Sequence, residues 1–148
     1  MTPETIPTGY EAGLVVLSFI VSALGAYTAL AAAGAAAQRS RRGRLDRFNI
    51  VLAGLSLGGI AIWSMHFVGM IAWQADIGVG YRLTETLVSL VAAVVVSTLA
   101  LGWVAAGRGE VRRILVAGPL AGLGVAAMHY LGTVSYTHLA GDSQMTLP

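Results

Sequence analysis

Residues 49–73 read NIVLAGLSLGGIAIWSMHFVGMIAW, a stretch of 25 residues without a single charge. About 20 apolar residues in a helix cross the hydrocarbon core of a bilayer, so this stretch can span one with some tilt. Three runs of the same kind surround it, from about Ala12 to Ala37, Leu87 to Ala106 and Ile114 to Tyr136. Inside lipid each segment must satisfy its own backbone N–H and C=O groups, which makes helices the natural reading. A membrane β-barrel needs short segments of strictly alternating hydrophobicity, and none are present. The expected fold class is therefore all-α: a polytopic membrane bundle of four transmembrane helices arranged as two repeated helical hairpins.

Composition agrees. Hydrophobic residues make up 56% of the 148 and charged residues only 11%, against about a quarter charged in a soluble domain. Mean hydropathy is +0.75. There is no cysteine, which removes disulfides, zinc ribbons and iron–sulfur clusters. The N-terminal Met1-Thr2-Pro3-Glu4 lacks the basic start of a cleavable signal peptide, so the first run is read as a retained helix.

All nine basic residues are arginines. Arg39, Arg41, Arg42, Arg44 and Arg47 crowd the first loop, and Arg108, Arg112 and Arg113 the third. The positive-inside rule makes those two loops cytoplasmic and puts the N-terminus outside. The opposite side holds Glu4, Glu11, Asp76 and Glu85 with only Arg82. Flanking two spans, such arginines report topology rather than nucleic-acid binding or an anionic-lipid patch.

Helix packing has local support in small-xxx-small pairs, Gly54 with Gly58 and Gly118 with Gly122, and in the series Gly25, Ala29, Ala33, Ala37. Small residues at this spacing let backbones approach where no hydrophobic force drives association.

The most informative feature is a repeat. Residues 57–70 read LGGIAIWSMHFVGM and residues 120–133 read LAGLGVAAMHYLGT, an offset of 63. Leu, Gly, Met, His and Gly coincide, and Phe67 matches Tyr130. An offset of one hairpin makes the second and fourth spans parallel, so His66 and His129 are expected at similar depth in the outer half of the membrane.

An ionisable side chain inside a span is costly and by default faces the bundle interior with a partner. Met70 lies four residues after His66 and shares its helix face, whereas the adjacent Met65 projects about 100° away. Imidazole with thioether suits copper. Zinc would be expected to recruit cysteine or carboxylate, and no carboxylate lies near either motif. The blander alternatives stay open: a histidine bonded to a hydroxyl or carbonyl, and methionines that merely pack.

The motifs resemble those of the MHYT domain, a bacterial integral-membrane sensory module. The likeness runs from about Tyr10 to Gly132, through Trp63-Ser64-Met65-His66-Phe67-Val68-Gly69-Met70 and then Met128-His129-Tyr130 with Gly132. The resemblance implies copper held near the outer face, a diatomic gas (oxygen, carbon monoxide or nitric oxide) as signal, and cytoplasmic cyclic-di-GMP synthase or phosphodiesterase domains downstream. It also implies a bacterial inner-membrane location. This sequence departs from the family pattern at Leu131 and Thr133, where Thr and Met are expected, so the second motif lacks its own equivalent of Met70. The family module has more helices and a third motif. The expected domain is thus an incomplete module over 10–134. Residues 135–148, which include His138, are read as a polar tail or as unrelated sequence in place of a natural continuation.

The leading expectation is a non-enzymatic metal-binding sensor. His66 and His129 serve as nitrogen ligands, Met65, Met70 and Met128 as thioether candidates, and Ser64, Thr133 and Tyr130 as partners for the second ring nitrogen. The alternative is a b-type haem ligated axially by both histidines, for which the adjacent methionines are not needed. A transporter would require more polar residues or broken helices inside the spans. No nucleophile, acid–base pair or phosphate loop is recognisable. Four helices are few to enclose a site, so a homodimer is a further expectation.

Overall fold

The computed structural model describes the backbone of residues 9–74, 83–107 and 110–144, with side chains through Trp73 in the first stretch and through Thr133 in the last. Glu4, Asp76, Arg82 and Arg108, used above to orient the chain, lie outside these residues, as does the side chain of His138.

Helix α1 spans Ala12–Arg41. Its first turn is capped by Glu11, whose carboxylate accepts the N–H groups of Gly13 at 3.1 Å and Leu14 at 2.8 Å. The helix runs past Ala37 to Arg41. Arginines in a last turn complement the negative end of the helix dipole, so the polar residues remain helical. The chain then reverses through Gly43 at φ 74°, a left-handed conformation that glycine adopts without a Cβ penalty. Asp46 caps the next element.

The second span, Arg47–Ala72, is one rod of 26 residues made of three parts. Helix α2 covers Arg47–Gly54, a π-helical stretch covers Leu55–Ser64, and α3 covers Met65–Ala72. Within the wider turn Ser64 Oγ donates to the Gly59 carbonyl five residues back, at 2.9 Å. At the outer end β1 (Gly9–Tyr10) and β2 (Trp73–Gln74) pair antiparallel, Tyr10 opposite Trp73. This small bridge ties the start of α1 to the end of the second span, and Glu11 N–H donates to Ala72 O at 2.9 Å.

Helix α4 spans Leu83–Ala105 and α5 spans Val111–Gln144, with Pro119 inside α5. α4 begins a turn before the expected Leu87, with Glu85 placed favourably in its first turn. α5 continues as helix beyond Tyr136, so the backbone of the compositionally distinct segment is helical as far as Gln144. All four spans are long and apolar enough to cross a membrane.

The packing is that of a membrane bundle: small residues inside, large apolar ones outside. Phe19, Tyr27, Leu30, Leu99 and Leu123 are exposed, where lipid would cover them. Among the described residues every buried hydrophobic is alanine except Phe67 and Met128. Serines 18, 56, 89 and 97 are buried beside them. α1 packs along the second span, the second span on α4, and α4 on α5.

Glycine sets the closest approaches. A Cβ on Gly58 would strike the Ala93 carbonyl and come within 2.8 Å of Val94 Cα, and one on Gly54 would come within 2.6 Å of Thr98 Cα. At Gly25 it would stand 2.7 Å from Ala61 N. The Gly54–Gly58 pair therefore packs as expected, and in α1 the buried line runs Gly25, Ala29, Ala32, Ala36. Gly118 and Gly122 face open space. On α5 it is Gly124 that lies against Val96.

Candidate metal centre

The π-helical stretch ends at Ser64, so Met65 and His66 open α3 on a rod whose register has just changed. π-turns inside α-helices are rare and frequently mark functional sites. On the other side, α5 carries Met128 and His129 at the same outer level. The two imidazoles meet: their ring centroids are 4.9 Å apart, with planes inclined at 67°.

Around this pair lie the two large buried side chains. Phe67 is set edge-on to His66 at 5.5 Å between centroids, and Met128 is 1% exposed. Trp63 tilts over Phe67 at 4.5 Å. Its indole N–H donates to Ser89 Oγ at 3.0 Å, and that hydroxyl donates to the Thr86 carbonyl at 2.7 Å. α4 thus braces the second span at the level of the histidines. Sequence spacing gives no sign of this contact, because Ser89 and Trp63 belong to different spans.

Two open clefts flank the histidine pair. One, of about 400 Å³, is lined by His66, Met65, Gly69, Met70 and Thr133, with Tyr10 and Trp73 from the outer β-bridge. The other, of about 440 Å³, is lined by both histidines with Met65, Met128 and Tyr130. The repeat reappears in space. Met65 and its counterpart Met128 share the second cleft, and Met70 shares the first with Thr133, the residue standing at its repeat position. All five candidate ligands line one or both clefts: Met65 and His66 border both, Met70 only the first, and Met128 and His129 only the second.

Two of the residues proposed to fix the imidazoles are engaged elsewhere. Ser64 bonds the Gly59 carbonyl. Thr133 Oγ1 donates to the carbonyls of His129 at 2.9 Å and Tyr130 at 3.1 Å. Tyr130 stays close, its ring 5.8 Å from that of His129. Among the described residues His66 Nε2 is buried with no hydrogen-bond partner. Buried polar atoms in native structures are nearly always paired, and an exception calls for an explanation such as a missing ion or water. A Cβ on Gly132 would stand 3.7 Å from that nitrogen, so this part of α5 lies directly beside it.

This donor set fits a soft metal ion. Two imidazoles in ring contact lie close enough to share one ion bonded about 2 Å from a nitrogen of each. The surrounding thioethers are ligands that favour Cu(I). Among the described residues no group of three or more His, Cys, Asp or Glu gathers, so a carboxylate-rich site for a hard cation is not available there.

Fold and site together describe a polytopic membrane bundle with two histidines from different spans in ring contact and methionines lining the clefts beside them. Residues 59–118 match the family model described as "MHYT: Bacterial signalling protein N terminal repeat". The chain carries an MHYT unit, and the family read from its motifs is the one found.

Similar proteins are bacterial signalling proteins. The chain is 39% identical over 134 residues to the bifunctional diguanylate cyclase/cyclic di-GMP phosphodiesterase MucR of Pseudomonas aeruginosa, covering 90% of the chain and 19% of that protein. It is 36% identical to the cyclic di-GMP phosphodiesterase NbdA of the same organism, covering 88% and 16%. To the signaling protein YkoW of Bacillus subtilis it is 30% identical, covering 83% and 15%. The chain thus spans less than a fifth of the length of these relatives. No solved structure matches it.

Proposed function

We propose that this chain is the membrane-embedded input module of a cyclic-di-GMP signalling protein, and that His66 and His129 jointly hold a copper ion with thioether help from Met65, Met70 and Met128. The observation that carries the proposal is the ring contact between two histidines on different spans, one of them with a buried, unpartnered nitrogen. Copper bound there would supply a redox-active centre able to take up a diatomic ligand such as oxygen, carbon monoxide or nitric oxide. The chain's own part is mechanical. His66 belongs to the second span and His129 to α5, and α5 otherwise packs on α4. Any change in the spacing of the two rings therefore moves α5 relative to the second span.

Catalysis is assigned to other parts of such a protein, and this chain is read as non-enzymatic. The location proposed is the bacterial inner membrane, with the arginine loops facing the cytoplasm. The haem alternative is less well supported. Axial imidazoles stand on opposite faces of the macrocycle, and a 4.9 Å ring contact leaves no gap for one.

Metal and haem analysis of the detergent-purified chain tests the reading. About one copper per chain or per dimer, without a Soret band and lost in both His66→Ala and His129→Ala, is the expected result. A Soret band requiring both histidines would replace copper by haem. Copper retained by both variants would place the ion elsewhere.

A further inference from the structure

Far from the histidines, α4 and α5 enclose an almost wholly apolar groove of about 470 Å³, walled by Val96, Leu99 and Trp103 on one side and Val116 and Leu120 on the other. Specific contacts mark its ends. Toward mid-membrane the helices touch where Gly124 meets Val96. Toward the cytoplasm Arg113 bridges them: its guanidinium donates to the Trp103 carbonyl at 3.0 Å and lies 5.0 Å from the centre of the Trp103 ring. Gly107 makes room for that arm, since a Cβ there would come within 2.5 Å of Arg113 Cδ. Pro119 lies between the two contacts. It removes a backbone donor from the helix.

Charge at the cytoplasmic end is uneven. Arg113 is paired with Glu110 at 3.3 Å. Arg112, exposed one turn before Val116 on the groove side of α5, has no carboxylate partner among the described residues. An apolar slot in a membrane span with an unpaired guanidinium at its cytoplasmic mouth matches one lipid chemistry. We propose that the α4–α5 groove binds an anionic phospholipid, one acyl chain lying along Leu99 and Leu120 and the headgroup phosphate resting on Arg112. Trp103 lies two residues from the end of α4, and amphipathic rings are favoured near the ends of membrane spans. Basic pockets between spans on the cytoplasmic side are suited to anionic headgroups.

The test is native mass spectrometry of the full chain released from mixed micelles containing equal amounts of palmitoyl-oleoyl phosphatidylglycerol and phosphatidylcholine. The wild-type chain is expected to retain phosphatidylglycerol about five-fold over phosphatidylcholine, the size of one basic residue's contribution near a membrane surface. Arg112→Gln is expected to abolish the preference but keep lipid binding. Leu99→Trp, which fills the slot, is expected to lower retention of both lipids, and Arg47→Gln in the other basic loop is expected to change neither. Equal retention of the two lipids by the wild type would overturn the proposal, as would an unchanged preference in Arg112→Gln. A chain that remains dimeric until Leu99→Trp breaks it would also overturn it, because the groove would then be a protein interface. None of these outcomes depends on copper.

Discussion

Ser89 shows what a single hydroxyl does in this molecule. It is fully buried on α4, accepts the Trp63 indole N–H and donates to its own helix. Trp63 in turn leans on Phe67, and Phe67 on His66. Replacing Ser89 with Ala leaves the indole donor without its acceptor. Interhelical hydrogen bonds in bilayers contribute about 0.6 kcal/mol on average, so Ser89→Ala is expected to lower unfolding stability in micelles by roughly that amount. A Thr at the same position, which retains the hydroxyl, should recover most of the loss. An unchanged midpoint in Ser89→Ala would remove the bond from the account. The histidines themselves were legible because they recur, and their recurrence at an offset of 63 residues anticipates the common depth at which they meet. The bracing by Ser89 and Trp63 was not legible, since a contact between spans leaves no periodic trace in either one.

At the scale of the element, the glycines separate spacing from function. Gly58 and Gly118 each belong to a small-xxx-small pair, yet a Cβ on the first would collide with α4 and one on the second would meet nothing within 4 Å. Overpacking a close contact costs about 1–3 kcal/mol. Gly58→Ala is therefore expected to destabilise the bundle by an amount in that range, while Gly118→Ala is neutral or slightly stabilising. Equal effects would contradict the packing described. The sequence pattern could not distinguish the two pairs, because nothing in a spacing of four states which face of a helix finds a neighbour. Nor could it reveal the π-helical register at Leu55–Ser64, whose apolar residues suit an α-helix equally well.

Helix ends follow electrostatics that hydropathy ignores. Asp46 caps α2, accepting from Asn49 N–H at 3.2 Å and Asn49 Nδ2 at 2.6 Å, with Arg39 Nε at 3.2 Å. The Asn49 hydrogen bonds, aided by Arg39, hold its carboxyl below the usual carboxylate value. A depressed folded-state pKa means that the cap's contribution is complete above the unfolded value, about 3.9, and is lost as pH falls through the folded one. Amide exchange at Asn49, corrected for its intrinsic pH dependence, is expected to stay constant from neutral pH down to the carboxylate range and to rise below it. In Asp46→Asn that acid-induced rise should vanish. A rise that persists in the variant would assign it to another group.

For the whole molecule, lipid reverses the usual arrangement: alanine, glycine and serine fill the interior and the bulky residues face outward. That reversal is why the four spans could be read from apolar runs alone and why their buried faces could not. Orientation rests on arginine. The end of α1 and its C-cap carry Arg39, Arg41 and Arg42, and the start of α5 carries Arg112 and Arg113, ends that the positive-inside rule reads as cytoplasmic. The chain has no cysteine, so a single introduced thiol reports one position. Ser40→Cys is expected to react with a membrane-impermeant maleimide only in inside-out vesicles, and Gly9→Cys only in right-side-out ones. The reverse pattern would invert the topology and move the histidine centre to the inner half of the bilayer.

In the proposed site one metal ion is shared by His66 and His129 among methionines. X-ray absorption at the copper edge of the copper-loaded chain tests it most directly. The expected spectrum contains imidazole scattering together with a sulfur shell, with less imidazole in both His66→Ala and His129→Ala and less sulfur when Met65, Met70 and Met128 are replaced by Leu. A first shell without imidazole or sulfur, or one that is the same in all variants, would contradict the account.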